Sequence, residues 1–562
     1  MLFSKISASA LAVVSSFFFD VVIAKYAITG VHTGVDATTG YRPPRREINE
    51  LALDKPQFSL YIQALNAMMN VDEHNLTSYF QLSGIHGRPY IPWDDVNPAT
   101  SNNGIRTGYC THGNTLFATW HRPYLALYEQ VLAGHAQTIA KTYKSAEYQT
   151  AADNLRMPFW DWAIPGSRFP TIMKSPTVQI TTPNGTATVN NPLFNYKFLQ
   201  RPEPTEWFPA NDPIAAKPTT LRHPDANGVQ HDEATDQALA EENSFLANQV
   251  WDVFAQTRDF NSMSTSGNGG PNFETPHGEI HTLVGGDGHM TQVAWSGFEP
   301  TFWLHHANVD RQVAMWQAIY PDAWLTNVRS PSGTWTILPN SIVGELTPLT
   351  PFTMGDGITM YTSITARYTK NFGYSYPDVK DWLFSDPASL KANVTTQVNQ
   401  LYNPNGSFGA FRSSTKRSIR IPSNITDKTN ETHAWSISVK VPNGAVDQAF
   451  SVKISMCDIH VGSLSILSVP GTVEREAGAY RVTHGQFNLG TALEGVDPDD
   501  VSAVIGHLKG KLKWEVVKLD GCVVDEVEGL EFEVADQVVK KAEDISKFPT
   551  FGERTVHPDV MA

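Results

Sequence analysis

The chain has 562 residues, 41% apolar and 18% charged, a balance that builds packed cores and excludes wholesale disorder. That length exceeds one compact core and calls for more than one domain. Lys and Arg total 42 against 57 Asp and Glu, a formal charge of −15 with no basic block, which argues against nucleic acid as a partner.

Residues 1–24 read as a secretory signal. Lys5 supplies a positive start, an apolar run follows, and Val22-Ile23-Ala24 resembles a small-residue cleavage site. Asp20 interrupts the run, which counts against both the signal and a membrane anchor, and no later stretch reaches the ~18–20 apolar residues a spanning helix needs. A secreted protein without membrane attachment is expected. Asn-x-Ser/Thr sites at Asn75, Asn184, Asn393, Asn405, Asn424 and Asn430 fit that route.

From about residue 40 to 330, long helical patterns alternate with Pro- and Gly-rich loops. Leu60 to Leu65 forms part of one helix, Tyr124, Tyr128 and Leu132 repeat every four residues in another, and Val313 to Trp316 continues a third. Residues 164–225, rich in Pro, Thr and Asn, read as surface loops. The helical unit spans residues 25–402. A polar linker, 403–420, carries the dibasic pair Lys416-Arg417, a natural processing site. The period then switches to two at Trp435 to Val441, Phe450 to Met456, Leu512 to Val517 and Leu530 to Val534, so 421–562 reads as a smaller β domain. The fold class is mainly α, followed by a β-sandwich-like unit. Three cysteines permit at most one bridge. Cys457 with Cys522 is the expected pair, which leaves Cys110 single.

Position and spacing select among the 18 histidines. His277 and His281 are i and i+4, on one helical face about 6 Å apart along the axis, within reach of one metal. Pro276 suits the first turn of that helix. Downstream, His305 and His306 are adjacent, and side chains ~100° apart allow only one to face a common metal. Asp310, one turn after His306, is placed to orient a polar neighbour. Upstream stand His86, Cys110-Thr-His112-Gly-Asn and Trp-His121-Arg-Pro-Tyr124. Nine residues separate His112 from His121, so one regular helix cannot aim both at a metal, and Gly113-Asn114 put His112 on a preceding loop. Histidine sets without carboxylates suit copper, zinc or iron. The zinc-protease pattern needs Glu directly after the first His. Here that position is Gly278, with Glu279 one residue late, which speaks against zinc hydrolysis.

Read together, Trp-His-Arg-Pro-Tyr, His-x3-His and Leu-His-His-Ala-Asn-Val-Asp-Arg resemble the type-3 copper family, fungal tyrosinases and catechol oxidases in particular, from about Arg45 through Tyr374-Ser-Tyr376. The resemblance implies a four-helix bundle holding two copper ions, His86, His112 and His121 on the first, His277, His281 and His306 on the second. His306 is preferred over His305 because Phe302 stands four residues before it, as Phe117 stands before His121. Cys110-Thr-His112 is similar to the family's Cys-x-His, in which sulfur bonds an imidazole carbon. Glu274 matches a glutamate that holds a water as a base. Gly278 stands where monophenol-active members often have Asn, so diphenol oxidation stronger than monophenol hydroxylation is expected. Arg45 and Asp310 are the expected partners of Tyr374 and Tyr376, and the β domain resembles a shield over the copper site in a latent proenzyme. O2 and small phenols are the implied partners. An oxygen carrier like molluscan haemocyanin, which uses the same six-His pair, is the alternative.

Overall fold

A computed structural model describes residues 24–99, 108–200, 207–208, 215–331, 333–404, 430–446, 448–457, 459–467 and 482–561. The expected signal segment up to residue 23, the Lys416-Arg417 pair, and the sequons at Asn405 and Asn424 lie outside them.

The N-terminal part is built from helices α1 (Lys55–Met69), α2 (Tyr79–Gly84), α3 (Phe117–Ala140), α4 (Asp232–Gln256), α5 (Glu274–Gly285), α6 (Pro300–Ile319) and α7 (Pro387–Tyr402). Their starts are written locally. Asp54 caps α1 by accepting from Gln57, with Pro56 in the first turn, and Glu299 caps α6 by accepting from Thr301, with Pro300 following. Asn272 Oδ1 accepts from Thr275 N at 2.9 Å at the start of α5. That helix stops at Gly286, whose φ of +54° is the left-handed conformation glycine adopts without strain. Nearly all of α6 is buried, from Pro300 to Trp316, so it is a central element rather than an amphipathic surface helix. Residues 164–225 are not loop throughout: Thr177–Thr182 and Gly185–Asn190 pair as an antiparallel hairpin, because Val178 and Ile180 alternate inward.

The C-terminal part holds two four-stranded antiparallel sheets. The strands are β1 (Glu431–Pro442), β2 (Phe450–Met456), β3 (Ile459–Ile466), β4 (Val482–Asn488), β5 (Leu512–Lys518), β6 (Val523–Val524), β7 (Glu531–Lys540) and β8 (Thr550–Val556). The sheet orders are β4-β1-β7-β8 and β6-β5-β2-β3. Ile437, Val439 and Val534 of one sheet and Val452, Ile454 and Val516 of the other share one apolar cluster.

Cys457 and Cys522 are both free, which overturns the expected bridge. Cys457 follows Met456, paired with Leu512, whereas the Cys522 carbonyl accepts from Lys518, paired with Phe450. The two sit at opposite ends of one ladder, about 20 Å apart at ~3.4 Å per residue, far beyond disulfide reach.

The β domain packs with β3 and β4 on α4 and α5. Glu242 of α4 accepts from His460 Nε2 at 2.6 Å and Ser463 Oγ at 2.7 Å. Glu279 of α5 accepts from Ser465 N at 3.1 Å. Burial, and then the neighbouring Glu242 carboxylate, push Glu279 well above the usual carboxylate range.

Candidate metal centre

Helix α5 presents His277 and His281 on one face, their ring centroids 4.6 Å apart. Helix α6 brings His305 and His306 against them. These four imidazoles form one buried group with ligand atoms within 4.8 Å of one another. A second group of the same compactness joins His86, just past the C-terminus of α2, Cys110 and His112 on the loop before α3, and His121 in the first turns of α3. The two groups face each other. His121 stacks on His306 at 4.5 Å, and His112 lies 5.7 Å from His277 in near-parallel planes.

The tautomers follow from the backbone. His86 Nδ1 donates to Val293 O at 3.0 Å, His121 Nδ1 to Phe117 O at 2.7 Å and His281 Nδ1 to Met290 O at 2.7 Å. Each such bond leaves Nε2 as a lone pair aimed inward. His86 Nε2 and both nitrogens of His305 and His306 are buried without a partner. His281 Nε2 and His277 Nε2 stand 3.0 Å apart. Buried polar atoms are normally satisfied, so converging orphan nitrogens are the donor set of a cation. Burial pushes His121 down to about 3 and His281 to about 4, and it also drives His86, His277 and His306 well below the ordinary histidine range. They are neutral at pH 7, as ligands must be. Imidazole nitrogens, joined by the Cys110 sulfur in the first group, fit copper, and neither group includes a carboxylate.

The remaining expected residues are distributed around this centre. Phe302 packs on His306 at 4.1 Å and on His86 at 4.8 Å; Phe117 lies 4.9 Å from His121 and 4.8 Å from His277. Each ring therefore braces both groups. Cys110 Sγ is 3.5 and 3.6 Å from the two nitrogens of His112 and 3.4 Å from His121 Nε2. Glu274 Oε1 accepts from Gly113 N at 2.6 Å, and Oε2 accepts from Ser266 N and Oγ at 2.8 and 2.9 Å. Its carboxylate thus ties the loop carrying His112 to the helix carrying His277.

Asp310 Oδ2 accepts from Tyr374 at 2.6 Å, Tyr376 at 2.7 Å and Arg45 at 3.2 Å, and the Arg45 guanidinium lies 3.6 Å from the Tyr374 ring centroid. Sequence reasoning missed Arg122, whose Nε donates to Asp310 Oδ1 at 2.7 Å. The pair links the residue after His121 to one turn beyond His306, and Arg122 stood unread inside the quoted Trp-His-Arg-Pro-Tyr. Burial alone would raise Asp310, but Arg122 and Arg45 outweigh it and hold the carboxyl below its ordinary range. Sequence reasoning also set His305 aside, whereas the structure places it 5.0 Å from both His277 and His281.

Comparison with known proteins agrees with this geometry. Residues 76–319 match the common central domain of tyrosinase, and residues 429–534 the tyrosinase C-terminal domain. A tyrosinase of Podospora anserina is 36% identical over 67% of this chain and 69% of its own length. The chain belongs to the tyrosinase family. A Neurospora crassa tyrosinase is also 36% identical, over 68% of this chain, although the match spans only 58% of that protein. A recombinant mushroom tyrosinase structure superimposes with a TM-score of 0.82 at 27% identity, over 95% of this chain and 99% of its own. An Enteroctopus dofleini haemocyanin is a distant relative, 26% identical over 49% of this chain and 8% of its own length. The family is a dicopper one, and both histidine groups are present here.

Proposed function

We propose that this chain is a type-3 copper phenol oxidase that uses O2 to convert ortho-diphenols to quinones, as in pigment formation. The observation that carries this is the pair of facing imidazole groups with their inward lone pairs. We assign His86, His112 and His121 to the first copper and His277, His281 and His306 to the second, within a core read as a four-helix bundle of α1, α3, α5 and α6. His306 is chosen over His305 because it alone stacks on His121 across the centre and is braced by Phe302. Bound there, the copper pair supplies the two-electron exchange with O2. The chain supplies position and exclusion. Backbone carbonyls fix the ligand tautomers, Glu274 fixes the His112 loop, and Phe117 and Phe302 keep the centre dry.

We assign Cys110 a thioether to His112, a reading supported by the approach of its sulfur to both ring nitrogens. Forming it removes the thiol hydrogen and one ring hydrogen, a two-electron oxidation for which O2 is the acceptor. A peptide lighter by that pair of hydrogens supports the bond, and an alkylatable thiol at Cys110 refutes it.

The β domain acts as a shield. A cavity of only about 40 Å³ remains between His112, Glu274, His277 and Gly278 on one side and Asn443, Ser465 and Thr483 on the other. A benzene-sized ligand occupies a cavity of about 150 Å³. The phenol therefore enters after the domain moves, with scission at Lys416-Arg417 as the trigger. Residues 1–24 direct the chain to the secretory pathway, and Asn75, Asn184, Asn393 and Asn430 are exposed for glycosylation. No helix among the described residues is long and apolar enough to cross a membrane.

The test is copper content together with o-diphenol oxidation before and after linker cleavage. Two coppers per chain and activity that rises on cleavage are expected. Zinc without copper, or reversible oxygenation without quinone after cleavage, overturns the reading.

A further inference from the structure

Two of the places that hold the β domain to the helical part differ in chemistry, beside a separate Gln537–Gln256 hydrogen bond at 3.3 Å. The contacts beside the centre are polar: Glu242 with His460 and Ser463, Glu279 with Ser465, Thr282 Oγ1 with Ser465 Oγ at 2.7 Å, Thr275 Oγ1 donating to His484 O at 2.8 Å, and His484 N donating to Ser266 O at 2.8 Å. The hydrogen-bonding groups of that seam find equivalent partners in water once it opens, and Phe245 meets the His460 ring edge-on across it at 5.1 Å. The second place is the connection between β7 and β8. Asn399 of α7 donates from Nδ2 to Ile545 O at 2.8 Å and Lys547 O at 3.3 Å, and its Oδ1 is fixed by Trp251 Nε1 of α4 at 2.8 Å. Phe548 meets the Trp251 ring edge-on at 6.1 Å.

Phe548 and Phe551 are the β-domain side chains that pack against the apolar core of the helical part, among the described residues. Among the described residues, the core of the β domain itself includes none of the helical part. Water does not replace this apolar contact, so the hook costs more to open than the seam. Asn399 also lies one turn before Tyr402, the last residue of α7, so the covalent tether and the hook leave the helical part at the same end.

We propose that the Trp251–Asn399 notch is a peptide-docking site for the β domain's own 545–551 segment, and that it keeps the domain bound after the linker is cut. Two backbone carbonyls and one aromatic ring are what it reads, a recognition by chain geometry and shape. The domain then swings away from the polar seam about the hook instead of departing. The inference does not depend on the metal assignment.

The test uses the full chain with a specific protease site placed in the 405–429 linker. After cutting, the two pieces should co-elute from a sizing column on dilution. Asn399→Ala with Phe548→Ala should weaken the association at least ~10-fold, as loss of an anchoring aromatic and its partner does, and by more than Glu242→Gln with His460→Ala does. Excess synthetic peptide covering residues 541–552 should displace the domain from the cut wild-type protein, which keeps the test valid should the hook variants misfold. The proposal fails if the cut wild type separates on dilution, if the seam variants dissociate more readily than the hook variants, or if the peptide displaces nothing.

Discussion

The two histidine groups reach the same compactness by different routes. The second is made by regular helices: i,i+4 spacing on α5 and two adjacent residues on α6 place all four rings, and the backbone of each helix fixes the spacing. The first is gathered from the end of α2, a loop and the start of α3, three pieces with no shared periodicity. The second group thus carries its geometry in local structure, whereas the first borrows it from contacts across the fold. Glu274 and the Arg122–Asp310 pair are those contacts, and they predict where each group breaks.

The largest effect should come from the ligands. His277→Ala and His121→Ala should each lower copper from two per chain toward one and abolish o-diphenol oxidation, read by metal analysis and quinone absorbance. Two retained coppers in either variant would sever that group from the metal. Next in size is Asp310→Ala. It leaves the buried Arg122 and Arg45 without their shared anion, and breaking a buried pair in this way costs roughly 3–5 kcal/mol. Chemical denaturation should show that loss in the copper-free chain. A change below about 1 kcal/mol, the scale of an exposed ion pair, would show that Asp310 does not tie α3 to α6.

The same asymmetry explains what the sequence made legible. His277, His281 and the loop position of His112 follow from helical spacing and from Gly113-Asn114, because both are local properties. The strands Phe450–Met456 and Leu512–Lys518 were readable from alternation, whereas β3, buried from Val461 through Ile466 with Gly462, Ser463 and Ser465 among them, shows no clean alternation and was missed. Nothing in spacing pairs Arg122 with Asp310 across 188 residues, or Glu274 with Gly113 across 161. The cysteine pairing failed for the same reason: proximity in composition and region said nothing of which end of the β2–β5 ladder each would occupy.

Glu274→Ala tests the borrowed geometry directly. It frees Gly113 N and the Ser266 donors while leaving α5 and its ligands in place. The outer supports of metal ligands typically contribute 10–100-fold in affinity. The expected result is therefore a loss of about that size at the first group, which is tied through Gly113, with little change at the second. Equal weakening of both groups, or of the second alone, would mean that the carboxylate acts on the helix that carries it instead of on the loop.

The smallest effect belongs to Gly278. The Ser465 carbonyl lies 3.6 Å from where a Cβ would sit, an ordinary contact, so Gly278→Ala should leave the domain seated and, by removing a helix-interior glycine, stabilise by about 0.5–1 kcal/mol. Gly278→Asn reaches further, toward the cavity shared with Glu274 and Asn443. If the missing amide is what disfavours monophenols, this variant should raise tyrosine turnover relative to L-DOPA once the linker is cut. The uncut chain should gain nothing, because the β domain still fills the approach. A gain in the uncut chain instead would show that the added side chain pushes β3 off α5, and residue 278 would then govern access to the centre and not the choice of substrate.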